Sequence, residues 1–300
     1  MRAWWLAGLL GICGIAGTLP AAAQDFDKVE IKTEKIADGI YVLTGYGGNM
    51  GLGVGEDAVF LIDDQFAPLT PKILAAIGAI TRQPVKFLLN THWHFDHVGG
   101  NENLGATGSL IVAHENVRRR MSADQFIAGV KDQIKASPKV ALPVVTFADS
   151  LSFHLNGDEI YGFHVANAHT DGDTIVVFRK ANVVHMGDVF FGDAYPFIDL
   201  SSGGSINGTI AACDRVLAMI DDRTKVIRGH GPVSDKAGLA AYRDMLAAIR
   251  DRVQAQVRAG KSLEETIASN PTAQFDEVWG KGYFKPAKFV ETVYRSLTAK

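Results

Sequence analysis

Cysteine is nearly absent from this chain: 300 residues contain two, Cys13 and Cys213. Cys13 lies in an N-terminal segment expected to be removed, which leaves Cys213 without an internal partner. No disulfide framework is then available, so the fold must rest on its core and on whatever metal it binds. An excess of charge of either sign is also missing. Thirty Lys and Arg face 33 Asp and Glu, for a net charge of −3, which excludes the basic footprint that nucleic acid requires. The short run Arg118-Arg119-Arg120 reads as the solvated face of a helix. No G-x-S-x-G elbow is present, which removes the serine-hydrolase reading. No short internal repeat is visible either.

Beyond the first residues there is no long apolar run. The start, MRAWWLAGLLGICGIAGTLPAAAQ, has one arginine, an apolar stretch from Ala3 to Leu19 and then Ala21-Ala22-Ala23. That is the pattern of a secretory signal peptide with small-residue cleavage. The glycines breaking the stretch and the adjacent A-x-A site speak against a membrane anchor. Cys13 has no lipoprotein context, because Ile12 stands where a small residue is expected. The reading is a signal peptide over 1–23, export to the periplasm and no stable membrane insertion afterwards. Residues 24–300 then form a single domain, with helices over 236–300 packed on it.

Ile40 to Asp64 reads as three short strands separated by glycine-rich turns. Gly51, Gly53 and Gly55 lead into the strand AVFLID rather than a helix, so a phosphate loop is disfavoured. A helix is expected over 68–80 and a buried strand over 85–90, followed by a strand at 110–113 and a helix at 114–121. The polar stretch 122–143 reads as an irregular flap. Strands follow near 144–147, 151–155, 158–165, 173–179 and 182–186, then a helix near 206–221, the strand KVIRG and further helices. Two β-rich halves flanked by helices predict an α/β fold of two packed sheets with helices outside.

The stretch NTHWHFDHVGG puts three of the nine histidines and an aspartate within residues 92–97. Imidazole and carboxylate are ligands for borderline divalent metals, so this density reads as a metal site. His92 and His94, two apart, can share one ion, while Asp96 and His97 follow the turn and can face another. Further candidate ligands stand in sharp turns after strands: His169 in NAHTDGD, Asp188 in HMGDVFF and His230 in RGHGP. Gly187, Gly229 and Gly231 permit close backbone approach there. His114, His154, His164 and His185 lie outside the pattern and read as core or surface histidines.

Taken in order, His92-x-His94-x-Asp96-His97, His169, Asp188 and His230 resemble the signature of the metallo-β-lactamase superfamily, over roughly residues 35–235. The resemblance implies the αββα sandwich, two mixed sheets face to face with helices outside, and a metal-dependent hydrolase of small-molecule substrates. It implies two Zn2+ per chain: His92, His94 and His169 on the first, Asp96, His97 and His230 on the second, and Asp188 bridging. Asp63 resembles the carboxylate that orients a ligand histidine. A zinc-activated hydroxide would attack a carbonyl, with Asp96 orienting it and relaying its proton. Di-iron redox relatives carry glutamate where this chain has His94, so zinc hydrolysis is favoured over a redox-cofactor relay or binding role.

Export and the likeness of HTDGDTIVVF and RGHGP to their counterparts in β-lactamases place opening of a cyclic amide, a β-lactam, first. A lactonase, esterase or glyoxalase-II-like thioesterase comes next. The best-known exported β-lactamases have cysteine where this chain has Asp188, and a carboxylate-gripping lysine where it has Phe191. Arg228, Ser201 or Ser202 would have to replace that grip. Phe191 and Tyr195, with Phe190 and Phe197, are candidate pocket walls, and Arg228 the candidate anchor. Oligomeric state is left open.

Overall fold

The computed structural model describes residues 25–299, so the signal-peptide reading of 1–23 falls outside the described residues. The first sheet opens with the antiparallel strands β1 (Lys32–Ala37), β2 (Ile40–Thr44), β3 (Met50–Val54) and β4 (Val59–Ile62). After helix α1 (Thr70–Gly78), β5 (Val85–Leu89) joins parallel to β4. Helices α2 (Phe95–Val98) and α3 (Asn101–Ala106) lead to the parallel strand β6 (Leu110–His114), and α4 (Glu115–Met121) follows. A small hairpin, β7 (Gln125–Ile127) with β8 (Asp132–Ile134), precedes β9 (Val145–Phe147), which closes the sheet in the order β1-β2-β3-β4-β5-β6-β9.

The second sheet runs β10 (Ser150–Leu155), β11 (Asp158–His164), β12 (Thr174–Phe178), β13 (Val183–His185) and β14 (Lys225–Ile227), with α5 (Ile206–Leu217) as the crossover to the parallel β14. The chain ends in α6 (Lys236–Arg258), α7 (Leu263–Ala268), α8 (Asp276–Trp279) and α9 (Pro286–Thr298). Among the described residues no helix is long and apolar enough to cross a membrane.

Why these strands stack is visible in β4. Its four residues are all buried, Phe60 and Ile62 toward the second sheet and Val59 and Leu61 toward the helices of the first. A strand buried on both faces reads as a continuous apolar run rather than an alternating one. Between the sheets, Ile40, Val42, Phe60, Ile62 and Leu89 meet Ile160, Val176, Phe178 and Ile227. Outside the first sheet, Ile73 and Ile77 of α1 cover Leu43, Leu52 and Leu61. Outside the second, Leu239, Tyr242, Leu246 and Ile249 of α6, and Phe289 and Val293 of α9, cover Ile175, Val184 and Val226. The spacing of three, four and three along α6 gives the single apolar stripe that burial requires. The result is the expected αββα sandwich. Cys213 is a free thiol buried in α5, and burial pushes its pKa upward.

Two segments differ from the sequence reading. β1 was not anticipated, because four of its six residues are exposed and no apolar period marks it; Lys32 and Lys35 instead charge the sheet edge. The stretch 122–143 is not wholly irregular, since Gln125↔Ile134 and Ile127↔Asp132 pair it into a hairpin. Three-residue strands are too short to show a two-residue period.

Candidate metal centre

The ends of β4, β5, β13 and β14 converge on one rim of the sandwich, where the backbone leaves each sheet and side chains become free to turn inward. Asp63 directly follows β4, and the run from His92 to His97 follows β5 into α2. Asp188 lies in the 3-10 turn Gly187–Phe190 after β13, and His230 lies beyond β14. His169 comes from the loop between β11 and β12.

The potential ligand atoms of His92, His94 and His169 lie within 4.8 Å of one another, as do those of Asp96, His97 and His230, and those of His92, His97 and Asp188. Asp188 therefore stands between the two triads. Its Oδ1 is 3.2 Å from His97 Nε2 and 3.4 Å from His230 Nε2, and its Oδ2 is 3.7 Å from His169 Nε2. Glycine makes the approach possible: a Cβ on Gly229 would sit 2.0 Å from Asp188 Oδ1, and one on Gly48 would sit 2.1 Å from His97 Cε1.

The surrounding hydrogen bonds fix which ring nitrogen faces the cluster. His97 Nδ1 donates to Asp63 Oδ2 at 2.8 Å, and His169 Nδ1 donates to the Phe197 carbonyl at 2.8 Å. His94 Nε2 donates to Asp199 Oδ2 at 3.1 Å. The Thr91 hydroxyl donates to Asp63 Oδ2 at 2.7 Å, so at its 3.0 Å contact with Thr91 Oγ1 the His92 Nδ1 is the donor. Each of these four rings is thus held by its outer nitrogen and turns the other toward the cluster, where a metal would take its lone pair.

Two consequences show that these residues fit divalent ions. His94 Nδ1 and His169 Nε2 are 2.9 Å apart with lone pairs facing, an arrangement that calls for a cation. The buried atoms His92 Nε2, His97 Nε2 and Asp188 Oδ1 have no hydrogen-bond partner among the described residues, and such orphans are costly unless a ligand satisfies them.

Charge follows the same division. Burial, joined by the neighbouring His97 and His169 rings, holds His92 well below the usual imidazole range, and burial lowers His169 to about 4. Burial also opposes charge on His97 and His230, but there the adjacent carboxylates, Asp188 foremost, outweigh it and raise both. Burial disfavours the Asp188 anion, yet the rings of His230 and His97 hold its carboxyl well below the usual range.

Asp63 has φ of 59°, a left-handed conformation that few non-glycine residues adopt and that aspartate tolerates better than most. That turn lets one oxygen accept from the Thr91 N–H at 2.7 Å while the other reaches His97. Sequence reasoning did not find Asp199, the equivalent partner of His94. Asp199 is buried and caps the turn Leu200–Ser202, accepting from the Ser201 N–H and both serine hydroxyls; Ser202 Oγ in turn accepts from Trp93 Nε1 at 3.2 Å. The only local trace is the capping pattern Asp-Leu-Ser-Ser. Replacing Asp199 with alanine is expected to weaken metal affinity by about 10- to 100-fold, the usual loss for a ligand-orienting partner. Competition against a chromophoric chelator measures it, and unchanged affinity would show that Asp199 serves only the turn.

A pocket of about 410 Å³ opens over the centre. His94, Asp96, Asp188 and His230 form its floor, and Phe191, Phe197, Phe95 and Phe284 are among its walls. Phe191 packs on the His230 ring at 5.0 Å. Tyr195, expected in the wall, is instead fully buried, stacked on Phe289 at 4.7 Å with its hydroxyl donating to Asp276 Oδ1 at 2.8 Å. Arg228, the expected anchor, also lies outside the lining. Its guanidinium pairs with Asp193, donates to Ser234 Oγ at 3.0 Å and covers the Phe190 ring at 4.8 Å. Ser201 and Ser202 are spent on Asp199.

The family model for the metallo-beta-lactamase superfamily matches residues 43–243. The chain is 23% identical to the metallo-beta-lactamase type 2 of Elizabethkingia meningoseptica over 277 residues, spanning 84% of this chain and 97% of that protein. It is 26% identical to the hydroxyacylglutathione hydrolase of Erythrobacter litoralis over 196 residues, 64% of this chain and 71% of the relative. A solved metallo-beta-lactamase from Pontibacter korlensis superposes with a TM-score of 0.59 at 20% identity, covering 73% of this chain and 99% of that one, which shows the shared fold. With a family match over most of its length and a cluster of histidines and carboxylates suited to divalent ions, the chain belongs to the metallo-beta-lactamase superfamily of metal-dependent hydrolases.

Proposed function

We propose that the protein is a dinuclear zinc hydrolase that opens the acyl–oxygen bond of a lactone or ester. One observation carries the choice of bond: among the described residues, no lysine or arginine lines the pocket. β-Lactam drugs present a carboxylate beside the ring, and a carboxylate taken into an apolar pocket needs a charged or hydrogen-bonding partner. A lactone or simple ester makes no such demand. Asp188, an oxygen ligand placed between the two triads, suits the same reading. The candidate ligands, imidazole nitrogens and carboxylate oxygens with no thiolate, suit zinc.

His92, His94 and His169 would hold one ion and Asp96, His97 and His230 the other, with Asp188 shared. Bound zinc supplies a water pKa lowered to about 7 and positive charge for a developing carbonyl oxygen. The chain's own residues do the remaining work. Asp96 is partly exposed on the pocket floor, its Oδ2 3.5 Å from His230 Nε2, where a free lone pair can orient the attacking water and pass its proton to the leaving alkoxide. Phe191, Phe95 and Phe197 exclude bulk water from the reacting carbonyl. The signal-peptide pattern supports action in the periplasm.

β-Lactam hydrolysis is the second reading, favoured by the relative matched over 97% of its length. A comparison of γ-lactones, aryl esters, a cephalosporin and a carbapenem, each with and without chelator, separates the two. Chelator-sensitive turnover led by the lactones and esters is expected. A larger kcat/KM on the cephalosporin or carbapenem would overturn the choice.

A further inference from the structure

The pocket over the metal centre is walled by rings drawn from distant parts of the chain. Phe66 and Phe95 are 5.8 Å apart between centroids, and Phe197 and Phe284 stack at 5.1 Å with a 5° interplanar angle. Phe197 also stacks on His94 at 5.6 Å, so this aromatic wall reaches the ligand shell itself. At the mouth, Tyr46 is 46% and Tyr283 is 78% exposed. Rings left facing solvent around a concave site are what an apolar ligand covers. The 410 Å³ volume falls within the range of small-molecule sites, about 300 to 1,000 Å³. Every polar side chain on the floor is already engaged as a candidate metal ligand, and above it the only side-chain polar groups of the lining are the Tyr46 and Tyr283 hydroxyls at the mouth, so the inner walls recognise the substrate by apolar contact.

Resting on the lactone or ester reading, we propose that the substrate is uncharged and carries an extended alkyl or aryl group, which lies against Phe66, Phe95, Phe197 and Phe284. Phe284 stands between α8 and α9, so the C-terminal segment, outside the residues matched by the family model, takes part in selecting chain length. A terminal carboxylate on the same chain would be disfavoured, since the aromatic walls hold no lysine or arginine to pair with it.

The test uses the zinc-loaded chain and γ-lactones bearing methyl to octyl groups. kcat/KM is expected to rise by about two- to fourfold per methylene until the pocket is filled. The octyl chain ending in a carboxylate should fall back toward the methyl compound. Calorimetric affinities of uncleavable 2-alkylcyclopentanones of the same lengths give a second readout. Turnover with neither kcat/KM nor affinity depending on length would overturn the proposal and leave the lactone reading standing. Ketone affinity rising with length, without lactone turnover, would do the reverse, and failure of both would sink both. For Phe284→Ala, the octyl-to-methyl ratio of kcat/KM should fall; the ratio is insensitive to the fraction of folded enzyme, and an unchanged one would remove Phe284 from the site.

Discussion

Asp188→Asn is expected to lower kcat/KM by roughly a hundred- to a thousandfold or more, since loss of metal-derived charge stabilisation costs several kcal/mol of barrier. The substitution keeps size and shape, removes the charge and exchanges one acceptor oxygen for an NH2 donor. In the native chain that carboxylate is buried, with His97, His230 and His169 between 3.2 and 3.7 Å away, whereas the neighbouring Asp96 carboxylate faces only His97 and His230, at 3.8 and 3.5 Å, and does not reach the first triad. An amide would turn a weak ligand oxygen or an N–H toward those rings, and the two triads would lose their common anion. Metal per chain should drop along with activity, while far-UV circular dichroism stays unchanged. Full activity in a folded variant would show that Asp188 bridges nothing.

Stripping the metals from the wild-type chain should lower its thermal midpoint by about 8–16 °C. A ligand present at a thousand times its Kd stabilises by about 4 kcal/mol, and each kcal/mol moves a domain of this size by about 2–4 °C. The direction follows from the site's composition. Without a cation, His94 Nδ1 and His169 Nε2 face each other at 2.9 Å, and buried atoms of His92, His97 and Asp188 stay unsatisfied. The metal-free fold therefore carries a desolvation cost that unfolding relieves. Calorimetry of chelated and zinc-restored protein checks it, and equal midpoints would contradict the proposed satisfaction of these atoms by metal.

Much of the sandwich was legible in the sequence because its central strands are buried on both faces: VFLI and VKFLL announce themselves by composition alone. β1 was illegible for the opposite reason, having no buried stripe to display. The clustered ligands were legible because they share one short stretch with metal-binding residue types. Asp199 was not, since it meets His94 across 105 residues and carries only the marks of a turn. Tyr195 and Arg228 stand near site residues in sequence but point into the interior, Tyr195 onto Phe289 and Arg228 onto Phe190 and Asp193. Neighbourhood along a loop does not fix side-chain direction; packing against α9 and the Asp193 pair does.

The centre as a two-metal catalytic site is tested most directly by titrating zinc into metal-free protein while native mass spectrometry counts bound ions and lactone hydrolysis is followed in parallel. Two zinc ions per chain are expected, with full activity reached only when Asp96, His97 and His230 are occupied as well as His92, His94 and His169. Activity that is complete in the metal-free protein, or a chain that binds no zinc at all, would contradict it.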